Sequence, residues 1–251
     1  MKKKVKYRQN QAAKKAPVPV PKTARSTRWT YYCLFIILLI SVVIYLPVYN
    51  NKFLAWDDDV YIKNNPLIYS INLKDIFSQY VMGNYHPLTI LTFAVEYQFF
   101  GLNETGYHAV NLFLHLTNVV LVFYSINLLI NKPTVALITA LLFGIHPLHV
   151  ESVAWAAELK DLLYTFFFLA SYILYLKYLT NQQKKLYIFS LLLFCLSLLS
   201  KAMAASLPVV MLLTDYFKGR KINAKTLLEK GPFILLSIGF GIVAIWAQKS
   251  S

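Results

Sequence analysis

The spacing of charges constrains this chain more than any other feature. Residues 29–51 and 105–131 contain no Lys, Arg, Asp or Glu, and several later apolar runs are separated only by short charged clusters. A helix that crosses the hydrocarbon core needs about 20 largely apolar residues. Seven candidate spans follow, at 29–49, 107–130, 134–147, 152–177, 186–200, 203–217 and 231–247. With 57% hydrophobic residues against the roughly 45–50% of a soluble domain, the expected fold class is an all-α integral membrane protein, a polytopic helix bundle.

The formal charge of +14 does not point to nucleic acid, because the lysines fall between apolar runs instead of covering a polar surface. It sets topology. With the N-terminus inside, residues 1–28, 131–133, 177–185 and 218–230 carry 19 of the 25 basic residues, and that side has two acids, Asp215 and Glu229. The opposite face carries nine acids, six bases and all five histidines. Basic residues accumulate on the cytoplasmic side, so the N-terminus is expected there.

Residues 1–28, rich in Lys and Pro, are expected to be a disordered cytoplasmic tail, and 29–251 a transmembrane domain. The uncharged run after the tail is too long for the core of a cleaved secretory signal and is read as a retained span. Cys33 and Cys195 each lie in an apolar run and make neither a disulfide framework nor a cysteine metal site. The long first outer loop, 50–106, holds two stretches with the pattern of amphipathic interfacial helices, residues 73–81 (LKDIFSQYV) and 87–100 (PLTILTFAVEYQFF).

Several spans are short. Fifteen uncharged residues separate Lys185 from Lys201, and 13 separate Lys201 from Asp215, which leaves Lys201 near or below the outer membrane surface. Glu158, Lys160 and Asp161 lie one to two turns into the fourth span. Charges at that depth are costly unless they face water or one another, so a submerged, outward-facing polar cavity is expected.

Four features could carry chemistry. In GYHAVNLFLHLTN, residues His108, Asn111, His115 and Asn118 share one helical face. They either bond neighbouring helices together or line the cavity. GIHPLHVESVAWAAELKDLLY gathers His146, His149, Glu151, Glu158, Lys160 and Asp161 around an outer turn that Pro147 opens, without the HExxH spacing of a zinc protease. Lys201 either snorkels to the headgroups or meets a lipid phosphate. Finally FLAWDDDVYIKNN, residues 53–65, sets Asp57, Asp58 and Asp59 side by side. Such a run is either a solvated turn or, through mutual repulsion that raises a carboxyl pKa, a source of a general base.

The blocks FLAWDDDVYIKNNPLI, YHPLTILTF, FGLNETGYHAVNLFLHLTN, LFGIHPLHVESVAWAAELKDLLY and LLSKAMAASLPVVMLLTDYF, in that order, resemble the membrane half of the transmembrane and tetratricopeptide-repeat O-mannosyltransferase-like proteins, within the GT-C glycosyltransferases. The resemblance covers about residues 53–217. It implies a GT-C-like bundle that moves a mannose-like or other hexose from a polyprenyl-phosphate carrier to a protein or glycan hydroxyl on the extracytoplasmic face, with inversion. Asp57 and Asp58 match the acidic pair that supplies the catalytic carboxylate, and Asp59 is an extra loop residue. Lys201, Lys160, His86, His108, His115, His146, His149 and Glu158 are candidates for substrate or lipid-phosphate binding. A divalent cation, Mg or Mn, is a candidate cofactor, with Asp58, His149 and Glu158 as candidate ligands.

Membrane lipid, the polyprenyl-phosphate sugar and the acceptor are the expected partners, without nucleic acid, and a bacterial inner membrane is the expected location. Two positions depart from the pattern: Leu159 replaces an arginine that many relatives carry before Lys160, and Ala202 replaces a proline after Lys201. The chain ends at AQKSS without a 34-residue helical repeat, and is expected to be a fragment or a truncated product. A non-catalytic membrane anchor of a repeat protein and a lipid-linked sugar transporter are the competing readings.

Overall fold

The computed structural model describes residues 25–249, so the expected basic tail lies almost wholly outside the described residues. The α-helices of the described chain are, in order, α1 (Arg25–Tyr45), α2 (Pro66–Tyr69), α3 (Leu73–Ser78), α4 (Pro87–Phe100), α5 (Glu104–Ile130), α6 (Pro133–Ile145), α7 (Val150–Ala154), α8 (Leu159–Asn181), α9 (Lys184–Ser200), α10 (Leu207–Phe217) and α11 (Ala224–Lys249).

Local chemistry sets the boundaries. Prolines stand in the first turn of α2, α4, α6 and α10, where a missing N–H removes no helical bond. Asn65, Asn72 and Asn103 cap α2, α3 and α5 through side-chain oxygens that accept from backbone amides of the first turn. Asn131 and Gln182 end α5 and α8 in the left-handed conformation, and Gly101 ends α4 at φ +59°.

Among the described residues, four helical segments are long and apolar enough to cross a membrane: Arg28–Asn50, Glu104–Ile130, Ala156–Asn181 and Ala224–Lys249. The α6 helix and the Pro147–Ala154 segment make a further candidate as a pair, bent by 51°. The seven expected apolar segments are all helical, yet the expected count of seven full spans is not reproduced. Pro147 halts α6 at the end of the third segment, and the sixth begins with a 3-10 stretch, Ala202–Ser206, before α10. Large apolar side chains such as Phe35, Leu39, Leu235 and Ile242 remain exposed on α1 and α11, as expected of helices facing lipid.

The α8 helix is central and packs against α9 and α5, while α1 and α6 pack on the other side of α5. Gly144 lets α6 approach closely, because a Cβ there would fall 2.6 Å from Ser41 Oγ and 3.3 Å from a Val119 methyl. The first outer loop folds over the start of α8 and makes its own core from Tyr61, Ile62, Ile68, Ile76, Phe93 and Tyr107 with Ala156, Ala157 and Leu159.

The two loop helices differ from expectation. The first stops at Ser78, and an Asn84–Val81 turn follows it. The second, α4, is not a one-sided surface helix: Thr89, Ile90, Phe93, Ala94 and Glu96 are buried, and Thr89 Oγ1 donates to the Ser200 carbonyl at 2.9 Å. Glu96 is buried with neither carboxyl oxygen hydrogen-bonded, and burial pushes its pKa well above the usual carboxylate range.

Candidate functional site

The three consecutive aspartates part company in the structure. Asp58 is fully buried, its Oδ2 accepting from the Leu54 amide at 2.8 Å and its Oδ1 from the Ala157 amide at 2.7 Å. It therefore ties the first outer loop to the turn that opens α8. Burial raises its pKa, against the opposing pull of those two amides. Asp59 pairs with Lys63, one turn on, at 2.6 Å. Asp57 reaches across the loop, Oδ2 accepting from Lys160 Nζ at 2.9 Å, while its Oδ1 has no hydrogen-bond partner among the described residues.

Lys160 is the hub. Its ammonium, almost buried, also meets Glu158 Oε1 at 2.9 Å and stands 4.8 Å from the centre of the Tyr61 ring. Glu158 continues to Lys201 at 3.7 Å, and Lys201 is bonded to Asp161. Five charged side chains thus form one chain of ion pairs, with three carboxylates against two ammonium groups. His86 lies beside it. Burial and the fields of Lys160 and Lys201 lower its pKa to about 3, so it is a neutral imidazole at physiological pH, with Nδ1 unbonded.

The local sequence dictates this assembly. The turn before α8 is held from three directions, by Asp58 on the Ala157 amide, by Asn111 Nδ2 on the Trp155 carbonyl at 3.0 Å and by Asn51 Nδ2 on the Ala154 carbonyl at 3.3 Å. That anchoring places Glu158, Lys160 and Asp161 toward the loop. Lys201, at the end of α9, meets them because α8 and α9 form an antiparallel pair joined by a short turn.

The remaining candidates separate. His115 is buried, with Nε2 on the Gly144 carbonyl at 3.0 Å and its ring 5.7 Å from that of Phe143 and 6.0 Å from that of His149. Both histidines are among the residues around a cavity of about 210 Å³ beside Asp161. His108 is buried on the same helix, with Glu104 as its charged neighbour. His146 is exposed, and its Nδ1 accepts from the Leu148 amide at 3.2 Å, which makes it a turn cap. In the polar stripe of α5, three of the four side chains bond neighbouring backbone: Asn111, His115 and Asn118, the last through Nδ2 to the Leu162 carbonyl at 2.9 Å. Helix bonding and cavity lining therefore coexist in one stripe.

The donor set proposed for a divalent cation does not fit the structure. Both oxygens of Asp58 are committed to amides, and among the described residues no group of three or more His, Cys, Asp or Glu side chains is arranged to hold a metal. Asp161 and Tyr61, absent from the sequence-derived list of binding residues, are part of the cluster. Asp161 was within reach of sequence reasoning as one of the three charges entering the fourth span. Tyr61 carried no signal, since an aromatic after an acidic run is common.

Residues 86–247 match the model of the dolichyl-phosphate-mannose-protein mannosyltransferases. The chain is 29% identical over 222 residues to a protein O-mannosyl-transferase of Caenorhabditis elegans, covering 82% of this chain and 31% of the relative. It is 29% identical over 170 residues to protein O-mannosyl-transferase TMTC4 of Homo sapiens, covering 58% and 23%. It is 34% identical over 132 residues to protein O-mannosyl-transferase TMTC1 of Homo sapiens, covering 47% and 15%. The chain thus spans about a third or less of the length of these curated relatives. No solved structure matches it.

Proposed function

The chain belongs to the dolichyl-phosphate-mannose-protein mannosyltransferase family, and from that premise we propose that it is the membrane part of a GT-C-type glycosyltransferase. A hexose, mannose-like, passes from a polyprenyl-phosphate carrier to a protein hydroxyl on the extracytoplasmic face. The orientation follows the charge distribution, with the N-terminus cytoplasmic. The relatives named above are animal proteins, so they lend nothing to a bacterial inner membrane.

The observation that carries the reading is the ion-pair chain from Asp57 to Asp161, built from the loop and the ends of α8 and α9. Asp57 is the proposed general base. Its Oδ2 is held and oriented by Lys160, and its Oδ1 is left to take a proton. The acceptor oxygen attacks the anomeric carbon as the carbon–oxygen bond to phosphate breaks, the acceptor proton passes to Asp57, and the phosphate leaves with the electron pair. Lys201 takes the developing negative charge; it can swing from Asp161 to phosphate, as an ammonium on a flexible stem does. One displacement inverts the anomeric centre. Asp58 is assigned to holding the loop, since both of its oxygens are already bonded.

Transfer from a polyprenyl-phosphate mannose to an acceptor peptide tests this. Asp57→Asn should lower turnover about 10³-fold, within the range general-base removal gives, with the protein still folded and still binding donor. Turnover at the wild-type rate in Asp57→Asn overturns the assignment, and a product that keeps the donor's anomeric configuration, by NMR of the new linkage, removes the single displacement.

A further inference from the structure

Lys160 has one more donor than the ion-pair chain uses. An ammonium carries three N–H groups and no acceptor, and two of them are met by Asp57 Oδ2 and Glu158 Oε1, each at 2.9 Å. Among the described residues no third oxygen is bonded to it. Its further neighbour is the face of Tyr61, with 4.8 Å from nitrogen to ring centre. A ring face attracts a cation within about 6 Å, and the attraction grows where water is kept away. The Lys160 side chain is 8% exposed and Tyr61 is 1% exposed, so this contact is dry.

Tyr61 is itself held at both ends. Residues Asp59–Lys63 make one wide π-helical turn, closed by the Asn64 amide donating to the Asp59 carbonyl at 2.8 Å. Such turns are rare, and they re-aim the side chains they carry. The Tyr61 carbonyl accepts from Asn65 Nδ2 at 3.1 Å. Its hydroxyl donates to the Val81 carbonyl at 3.4 Å and accepts from Asn84 Nδ2 at 3.3 Å. Val81 and Asn84 exchange two backbone bonds of 3.0 Å across a turn in which both Met82, at φ +50°, and Gly83, at φ +67°, are left-handed. A residue with a Cβ adopts that conformation at a cost. Asn84 Nδ2 offsets it with a further bond to the Met82 carbonyl at 2.9 Å.

Asp57 and Glu158 compete for one ammonium. Glu158 is two residues from Lys160 in the chain, whereas Asp57 is 103 residues away. Without the ring, nothing opposes a shift of the ammonium toward its near neighbour, and Asp57 loses the contact that orients it. We propose that Tyr61 is a positioning residue of this site: its ring face holds the Lys160 ammonium against Asp57, and the Val81–Asn84 turn, through the Tyr61 hydroxyl, holds the ring. The proposal rests on the glycosyl-transfer reading and adds to it the group that sets the lysine beside the general base.

Transfer kinetics in nanodiscs, with the folded fraction measured for each protein, test it. Tyr61→Leu should lower kcat about tenfold, with the donor KM within about threefold of wild type. Tyr61→Phe, which keeps the ring face and loses the hydroxyl, should recover most of that loss. In an Asp57→Asn background, Tyr61→Leu should cost less than about twofold, because the residue acts through Asp57.

A Tyr61→Leu protein with the wild-type kcat overturns the proposal, and so does a Tyr61→Phe protein as slow as Tyr61→Leu. A loss undiminished in the Asp57→Asn background also overturns it, since Tyr61 then acts only through the fold. A wild type that transfers to no acceptor sinks the transferase reading alone. Thermal unfolding then decides the contact: Tyr61→Leu and Lys160→Met together should shift the midpoint by less than the sum of their separate shifts, and additive shifts remove the hold of the ring on the ammonium.

Discussion

Among the described residues there are two ionic networks, one at each end of α8, and they are built on opposite principles. The inner one joins α8, α10, α11 and the loop between the last two. Asp215 and Lys230 are both fully buried and bonded to each other; Arg220 bonds Asp215 at 2.8 Å and Glu229 at 3.0 Å; Lys230 bonds Glu229 at 3.0 Å; Tyr175 donates to Asp215 at 2.7 Å. Two carboxylates face two cations, so the network is closed and neutral. The outer network, about 22 Å away along α8 at 1.5 Å per residue, has three carboxylates on two ammonium groups, and Asp57 and Asp161 keep part of their surface in solvent. A balanced buried network has nothing left to bind with. An unbalanced, half-wet one retains a free oxygen and a cation that can change partners, which is what a reaction site needs.

The comparison can be broken from either end. The largest effects separate function from stability: Asp57→Asn should cost about 10³-fold in transfer but shift the unfolding midpoint in detergent less than loss of a buried cation does, because Lys160 keeps Glu158 at 2.9 Å and the asparagine oxygen can still accept. Lys230→Met should do the reverse, destabilising by about 3–5 kcal/mol because Asp215 is left charged and buried with one cation fewer. Adding Asp215→Leu to that variant should recover most of the loss, and a single Lys230→Met protein as stable as wild type would contradict the closed-network description.

Next in size is Asp58→Asn. It keeps one acceptor oxygen but turns an NH₂ toward a backbone amide, so the loop should loosen by about 1–3 kcal/mol. Hydrogen exchange at the Leu54 and Ala157 amides would report it.

Smaller still is the pH response. The unfolded chain takes up a proton at His86 near pH 6.5, whereas the folded one refuses it until about pH 3. The unfolded state therefore binds more protons across that window, and stability falls as pH drops through it, by up to roughly 1.4 kcal/mol per unit. His86→Gln should flatten that dependence in thermal unfolding between pH 6.5 and 5. The smallest effect is expected at Glu96, whose raised pKa leaves the folded state protonated where the unfolded one is ionised, so stability from this group declines as pH rises above the ordinary carboxylate value. Glu96→Gln should remove the decline of stability with rising pH in thermal unfolding, because the amide has no proton to lose.

Much of this was legible in the sequence. The apolar runs fixed the helical, membrane-embedded class, and the five quoted blocks identified the family. Charges too deep in short spans, Glu158, Lys160, Asp161 and Lys201, pointed to a submerged polar site because no isolated charge is stable there. The separation of Asp57 from Asp58 was not legible. Adjacent identical side chains carry no sequence signal for which of them meets an amide and which meets a lysine 103 residues away. Nor was the inner network, since Asp215, Arg220, Glu229 and Lys230 read as an ordinary cytoplasmic charge cluster.

The amino-acid sequence alone therefore determined the helical, membrane-embedded class, because transfer of apolar surface and of charge between lipid and water depends on composition over a few turns of helix. Only the tertiary structure decided the pairings: which carboxylate is spent on a backbone amide, and which is shared by two lysines. Those outcomes depend on hydrogen-bond geometry over a few tenths of an ångström between helices distant in sequence, and no local pattern encodes it.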